Sequence, residues 1–233
     1  SEDYDVFIAG NISSSDELTG LKVCSYQHID IEREISIKND LKAVSQLSSY
    51  FRKMKFDAIH SVTPKAGLVS ALAGFLARIP VRIHIFTGQV WATRKGFMRF
   101  MLKSIDWLIA KLNTHILVDG ASQCQFLIDE GVVSAKKAQV LGDGSIAGVN
   151  IQRFEPSEDS RKSVRQELNI ADDKVVFVFM GRLNHDKGMY ELLPAFDKLA
   201  ETNKKVFLLL FGADEENVAS TFETYKNLNE DNF

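Results

Sequence analysis

Short runs of apolar residues recur along this chain and predict a series of β-strands. Runs of about four to eight residues rich in β-branched and aromatic side chains, bounded by glycine or polar residues, are typical of strands in a sheet. The predicted strands are Tyr4–Gly10, Phe56–Val62, Arg82–Thr87, Thr114–Asp119, Ala138–Leu141, Val175–Met180 and Val206–Phe211.

Segments with helical spacing of apolar residues separate these strands. The predicted helices are Leu41–Phe51, Gly67–Arg78 after Pro64, Lys65 and Ala66, Ala121–Glu130 with Gly131 as its cap, a helix through Leu168, and Met189–Glu201. Strands that alternate with helices indicate βαβ units, so the sequence predicts an α/β fold with parallel sheets and right-handed crossovers.

The composition changes at the glycine-rich passage that ends in Gly148, Val149 and Asn150. We therefore predict two Rossmann-like domains, residues 1–150 and residues 151–233. The second contains two clear strands, and two strands do not make a parallel sheet that helices cover on both faces. We interpret this second domain as incomplete, ending in a helix and a polar tail over Asn217–Phe233.

Composition excludes several classes of protein. The 233 residues are 45% apolar and 25% charged, as in ordinary globular proteins. The net charge of −3 argues against nucleic-acid binding, so any anion site is local. No stretch of about 20 apolar residues predicts a membrane span. Cys24 and Cys124 lack the spacing of metal ligands, so we predict no metal and interpret both as free core thiols of a cytoplasmic protein.

The segment from Val175 to Gly188 carries the clearest chemistry. An apolar strand ends in Gly181-Arg182, and Lys187-Gly188 follows just before an amphipathic helix. Ligands of open α/β sheets bind beyond the carboxyl ends of the strands, where a helix N-terminus favours anions. Arg182 and Lys187 are therefore candidates for a clamp on a phosphate or diphosphate. Alternatively, both are solvated cations of a surface loop.

Three motifs in this order resemble the family 4 glycosyltransferases of the GT-B fold. They are the His60–Gly67 segment, the Gly144–Asn150 segment with Phe154, and the Gly181-Arg182 and Lys187-Gly188 pairs. The likeness is strongest to members that build capsules, exopolysaccharides and lipid-linked glycans.

The resemblance implies two domains that face each other across a cleft, and transfer of a sugar from a nucleotide diphosphate donor to a glycan or lipid-linked acceptor. Transfer would retain the anomeric configuration and need neither metal nor cofactor, with a UDP- or GDP-linked sugar as donor substrate. The family pattern places Gly181, Arg182, Lys187, Gly188 and Gly212 at the donor, with Arg182 and Lys187 as the catalytic cations.

The chain departs from the family pattern at both ends. The paired glutamates of the family would lie beyond Phe233, and its first strand and glycine-rich loop would precede Ser1. Glu215 and Glu216 follow the Gly212 loop and do not replace the missing pair. We therefore expect a fragment of a longer enzyme that is inactive alone. A module that binds a nucleotide or sugar phosphate without catalysis is the alternative.

The first domain should supply the acceptor side. We expect His60, Thr87 and Gly88, each at the end of a predicted strand, to line it. For His60 a structural role stays equally open. His84 fits the family's histidine position poorly, and alternation turns its side chain into the sheet, so we interpret it as a packed residue.

Cations and apolar residues interleave between Arg94 and Lys111. A basic amphipathic helix of this kind is typical of contact with an anionic membrane surface, here the inner face of the membrane. The alternative is a domain helix that packs its apolar face on the sheet and leaves a solvated basic face.

Overall fold

The computed structural model describes residues 4–11, 23–31, 36–145 and 148–228, which divide into two compact units, Ser1–Val149 and Asn150–Phe233. The elements of the first unit are β1 (Phe7–Gly10), β2 (Ser25–His28), α1 (Ile37–Met54), β3 (Ala58–Val62), α2 (Pro64–Leu76), β4 (Val81–Phe86), α3 (Gly96–Leu112), β5 (His115–Val118), α4 (Ala121–Asp129) and β6 (Ala138–Gln139). Those of the second unit are α5 (Glu158–Glu167), β7 (Val175–Met180), a 3-10 turn (His185–Lys187), α6 (Met189–Thr202), β8 (Val206–Phe211) and a 3-10 helix (Val218–Thr224).

All described strand pairs are parallel, which confirms the predicted α/β class. In the first unit β1 pairs with β2, and a four-stranded sheet has the order β3-β4-β5-β6. In the second unit β7 pairs with β8. Because the strands of each sheet run in one direction, the ends of β3, β4 and β5 share one edge, and the ends of β7 and β8 share another.

Helices bury their apolar stripes against these sheets. In the first unit α1 buries Ala43, Val44, Leu47 and Phe51 in one cluster with residues of α2. In the second unit α6 begins directly after the 3-10 turn and packs Met189, Leu193, Phe196 and Ala200 on β8. Burial of apolar surface therefore fixes the start of α6 beside the predicted clamp.

Several predicted boundaries differ from the structure. The strand β2 was not predicted, because its sequence, Ser-Tyr-Gln-His, lacks an apolar run. The helix α1 extends beyond Leu41–Phe51 at both ends, and β6 is shorter than predicted. The final segment forms a 3-10 helix at Val218–Thr224 rather than an α-helix, and the predicted tail at 229–233 lies outside the described residues.

Candidate functional site

The loops after β7 and β8 run side by side in the second unit. Gly181 donates its N–H to the Phe211 carbonyl over 2.8 Å, and Leu183 donates to the Ala213 carbonyl over 2.9 Å. Glu215 in turn donates to the Leu183 carbonyl over 3.3 Å. These bonds extend the parallel pairing past the strand ends and bring side chains of the two loops together.

Gly212 permits this close approach. Its φ is +150°, and a Cβ there would lie 2.6 Å from the carbonyl carbon of Gly181 and closer still to the carbonyl oxygen. Only glycine fits such a position without movement of the backbone. Gly212 thus has a structural reason to be glycine, whatever it contacts in a ligand.

Arg182 meets a carboxylate of the second loop. Its Nη1 lies 2.9 Å from Oε2 and 3.1 Å from Oε1 of Glu215. Asn184 donates from Nδ2 to the same Oε2 over 2.9 Å. The sequence placed Glu215 after the Gly212 loop and predicted no contact between it and Arg182. The acidic run directly after β8 was the available signal.

Lys187 ends the 3-10 turn that precedes α6. The side-chain Oδ1 of Asn184 accepts the Lys187 N–H over 3.1 Å, which caps this turn. Gly188 follows with a φ of +78° and connects the turn to α6. The Lys187 side chain is exposed. The structure therefore places both predicted cations in one loop, on either side of the buried Asn184.

Further carboxylates brace the same loop pair. Glu216 accepts the backbone N–H of His185 over 3.0 Å. Asp214 accepts N–H groups of Ala219 and Val218, and these bonds, that of Ala219 first, hold the pKa of Asp214 below its ordinary value. Arg182 thus lies beside a carboxylate of the second loop, which contacts its Nη1.

The acceptor-side candidates lie in the first unit, and the structure corrects one of them. His60 does not end its strand: it lies in the middle of β3, paired with Ile83. Partial burial of its imidazole lowers its pKa, although the residue as a whole is exposed. Thr87 and Gly88 directly follow β4 and are exposed, as predicted for residues at this edge of the sheet.

His84 is a packed residue of the same sheet. It is 1% exposed, and its Nδ1 lies 2.9 Å from Ser61 Oγ. Burial, and secondarily the charge of His60, lowers its pKa to about 4, so His84 is neutral near pH 7. A Cβ on Gly67 of α2 would lie 2.8 Å from His84 Nδ1, so the helix approaches the imidazole closely.

The loop after Gly88 is anchored by a buried pair that the sequence did not predict. Trp91 is 1% exposed, and its Nε1–H donates to Asp106 Oδ2 over 2.7 Å. Burial raises the pKa of Asp106 to about 6, despite the opposing indole hydrogen bond. Arg99 covers the Trp91 ring at 4.9 Å and donates to the Trp91 carbonyl. These contacts fix the path of the loop that follows Thr87 and Gly88.

The helix α3 differs from the basic amphipathic helix that the sequence predicts, because two of its cations form ion pairs. It begins at Gly96, and Arg99 and Lys103 both pair with Glu130 at 2.7 Å. The hydrogen bond from Lys103, first, and the neighbouring positive charges lower the pKa of Glu130. Arg99 and Lys103 are therefore ion-paired and half-buried, and Glu130 neutralises part of the basic face.

Large apolar side chains of α3 are exposed instead. Phe97 is 78% exposed and Phe100 68%, and Lys111 lies over the exposed Trp107 ring at 4.7 Å. Within the described parts of the chain, no helix is long and apolar enough to cross a membrane.

The two cysteines are unpaired, and Cys24 is exposed rather than in a core, while Cys124 is half-buried. In the part of the chain that the structure describes, no cluster of three or more histidine, cysteine or acidic side chains could hold a metal ion.

Comparison with known sequences gives one family for this site. Residues 160–233 match the model of the glycosyl transferases group 1. The chain is 30% identical over 187 residues to the capsular polysaccharide biosynthesis glycosyltransferase CapM of Staphylococcus aureus, covering 80% of this chain and 49% of CapM. It is 24% identical over 172 residues to the UDP-Gal:alpha-D-GlcNAc-diphosphoundecaprenol alpha-1,3-galactosyltransferase of Escherichia coli, covering 73% and 43%. The chain thus spans about half the length of these curated relatives.

Solved structures share the fold. Alr3699/HepE of Anabaena, crystallised with UDP-glucose, superposes with a TM-score of 0.72 at 17% identity, covering 96% of this chain and 59% of that one. The UDP-GlcNAc 2-epimerase of Neisseria meningitidis superposes with a TM-score of 0.61 at 16% identity, covering 95% and 60%. The fold is therefore that of GT-B glycosyltransferases and epimerases.

Proposed function

Residues 160–233 of this chain belong to the glycosyl transferases of group 1, and from that premise we propose that the protein transfers a sugar from a nucleotide diphosphate donor to a glycan or lipid-linked acceptor. The observation that carries the proposal is the loop after β7, which presents Arg182 and Lys187 beside the start of α6. CapM is a glycosyltransferase of capsule biosynthesis, and the Escherichia coli relative is named for UDP-Gal and a diphosphoundecaprenol-linked acceptor. The second name supports a UDP-linked sugar as donor, and a GDP-linked sugar is the alternative.

In this proposal Arg182 and Lys187 are the catalytic cations. Negative charge grows on the leaving diphosphate as the bond to the sugar breaks, and fixed cations stabilise that charge more in the transition state than in the ground state. The guanidinium of Arg182 can bind two phosphate oxygens, while the ammonium of Lys187 acts as a point charge. The start of α6 adds backbone N–H groups that favour an anion. Gly181, Gly188 and Gly212 shape the loops around the donor.

The proposed reaction course is the one that the family resemblance implies. This resemblance implies that the transfer needs no metal ion, with Arg182 and Lys187 as the cations that stabilise the diphosphate. A leaving phosphate oxygen accepts the proton of the acceptor hydroxyl on the face that the nucleotide leaves, so the anomeric configuration is retained. His60, Thr87 and Gly88 of the first unit contact the acceptor. Burial keeps the His60 imidazole neutral near pH 7, because it lowers the pKa, and a neutral imidazole suits a hydrogen bond to a hydroxyl group.

The acceptor side of the protein contacts the inner face of the membrane through α3 and the residues before it. Phe97, Phe100 and Trp107 are exposed aromatic residues of this helix. Arg94 and Lys95 precede it and are exposed, and Lys111 lies over Trp107. Aromatic residues beside cations are typical of helices that lie in a membrane interface. Such contact would bring a lipid-linked acceptor to a cytoplasmic enzyme.

Transfer assays on the complete gene product test the proposal. Arg182→Ala and Lys187→Ala should each lower kcat by about 100-fold or more, because each removes a cation from the leaving diphosphate. Lys198→Ala is the matched control, since Lys198 is an exposed cation of α6 away from the clamp loop. Release of nucleotide diphosphate from a panel of UDP- and GDP-sugars measures turnover. Donor binding without turnover by the unaltered protein would point to a non-catalytic binding module.

A further inference from the structure

A single buried side chain, Asn184, connects the two cations of the proposed donor site. The residue is 5% exposed, and both polar atoms of its amide are used. Nδ2 donates to Glu215 Oε2 over 2.9 Å, and Oδ1 accepts the backbone N–H of Lys187 over 3.1 Å. A buried amide is costly unless its donor and acceptor are both satisfied, so these two bonds fix the orientation of Asn184.

Glu215 extends this chain of hydrogen bonds to Arg182. Its carboxylate is bound at the same time by Asn184 Nδ2 and by Arg182 Nη1, each 2.9 Å from Oε2. Both contacts to Arg182 fall on Nη1, while a guanidinium has further donors on Nε and Nη2. Glu215 can therefore hold one side of the guanidinium while the other donors bind a phosphate.

The backbone keeps Glu215 in this position. Its N–H bonds to the Leu183 carbonyl, and Leu183 forms a parallel bridge with Asp214. The carboxylate therefore approaches Arg182 and Asn184 from a strand extension rather than from a long free loop. Asn184 lies between Leu183 and the turn that carries Lys187, so it links an anchored carboxylate to that turn.

We propose that Asn184 is a positioning residue of the transferase. It holds Arg182 through Glu215 and Lys187 through the capped turn, so that the two cations keep one spacing for the donor diphosphate. The inference rests on the function proposed above. A displacement of about 1 Å between a catalytic group and its target can cost about 100-fold in rate. The physical role of Asn184 is to prevent such a displacement of either cation.

Exchanging the hydrogen-bond donor and acceptor between positions 184 and 215 tests the link between these two residues. Asn184→Asp keeps an oxygen that caps the Lys187 turn, but it places a second carboxylate against Glu215 and removes the amide donor. It should lower kcat/KM of the complete protein for the nucleotide sugar by about 10- to 100-fold. When Asn184→Asp is combined with Glu215→Gln, the new amide at position 215 donates to the new carboxylate at position 184, and its carbonyl accepts from Arg182. We expect this double variant to regain at least about tenfold over Asn184→Asp alone, because the hydrogen bond between the two positions is restored, although its direction is reversed.

Arg182→Ala and Lys187→Ala are measured in the same assay, with thermal melting of every variant. Activity near that of the unaltered protein in Asn184→Asp, with both alanine variants impaired, would overturn the inference and leave the transferase function intact. Unimpaired alanine variants would overturn the catalytic role of the two cations, and donor binding without turnover by the unaltered protein would overturn the function itself. A double variant no more active than Asn184→Asp would show that no link through Glu215 exists. A merely structural role predicts that activity follows the melting temperature, without recovery in the double variant.

Discussion

Gly212 lies against the peptide of Gly181 with no room for a side chain between them. A Cβ on residue 212 would lie 2.6 Å from the carbonyl carbon of Gly181 and 3.3 Å from the nitrogen of Arg182. This contact joins the loop that carries Arg182 to the loop that carries Glu215. The geometry of the candidate donor site therefore depends on a backbone contact that any side chain would disrupt.

Gly212→Ala should destabilise the second unit. The substitution forces a backbone shift and gives alanine a φ of +150°, which together should lower the free energy of unfolding by at least about 2 kcal/mol. Denaturant titration followed by circular dichroism measures the change. Gly181→Ala is the matched control, because its Cβ would meet only the Phe179 ring, at 3.4 Å. Equal stability of the two variants would contradict the contact.

His84 should make the first unit sensitive to acid. Burial lowers its pKa from 6.5 to about 4, so between these pH values the unfolded chain binds the proton more readily than the folded one. The contribution of neutral His84 to the free energy of unfolding is complete above about pH 6.5 and is lost as the pH falls towards 4. The difference is about 3 kcal/mol. Unfolding followed by tryptophan fluorescence reports on this unit, since both tryptophans, Trp91 and Trp107, lie in it.

The same fluorescence measurement compares His84→Gln with the unaltered chain. The variant should lose this part of the pH dependence, whereas His185→Gln, which removes a histidine from an exposed loop, serves as the control. An unchanged acid sensitivity in His84→Gln would exclude His84 as its source.

Asp106 should produce the opposite dependence. Burial raises its pKa from 3.8 to about 6, so the folded state binds the proton more readily within that range, and stability falls as the pH rises through it. Asp106→Asn keeps an acceptor for the Trp91 indole and carries no charge, so the loss of stability between about pH 4 and 6 should disappear.

Trp91→Phe leaves the Asp106 carboxyl buried without its hydrogen-bond donor and should lower the free energy of unfolding by about 1–3 kcal/mol near neutral pH. A Trp91→Phe variant as stable as the unaltered chain would contradict the pair.

Membrane contact should depend on the exposed aromatic residues of α3. Flotation with vesicles that contain anionic lipid should show weaker binding of the Phe97→Ser and Phe100→Ser double variant, because it removes apolar surface from the interface. Phe75→Ser is the matched control, since Phe75 is 55% exposed on another helix. Lys95→Glu reverses an exposed charge just before α3 and should also weaken flotation. Lys136→Glu reverses another exposed charge and is its control. Equal flotation of all variants would exclude this surface.

Local sequence determined the alternation of strands and helices and the position of the cationic loop. An apolar run such as Val175–Met180 predicts a strand, although its predicted burial is wrong, since Val175, Val178 and Met180 are exposed. The glycines beside Arg182 and Lys187 mark the turn that follows. The resemblance to glycosyltransferases rested on these local motifs. For this reason the α/β class and the family were predictable without coordinates. The polar strand β2 was not, because its pairing with β1, and not its composition, makes it a strand.

Only the tertiary structure decided which side chains meet. Arg182 and Glu215 are 33 residues apart, and the register of β7 against β8 brings them together. Likewise, Arg99 and Lys103 form ion pairs because Glu130, directly after α4, lies opposite them. Such contacts depend on strand register and on which helix face packs inward, and both are set by burial summed over a whole unit rather than by any one segment. The sequence therefore determined where the cations of the candidate donor loop lie, and the fold decided which side chains hold them.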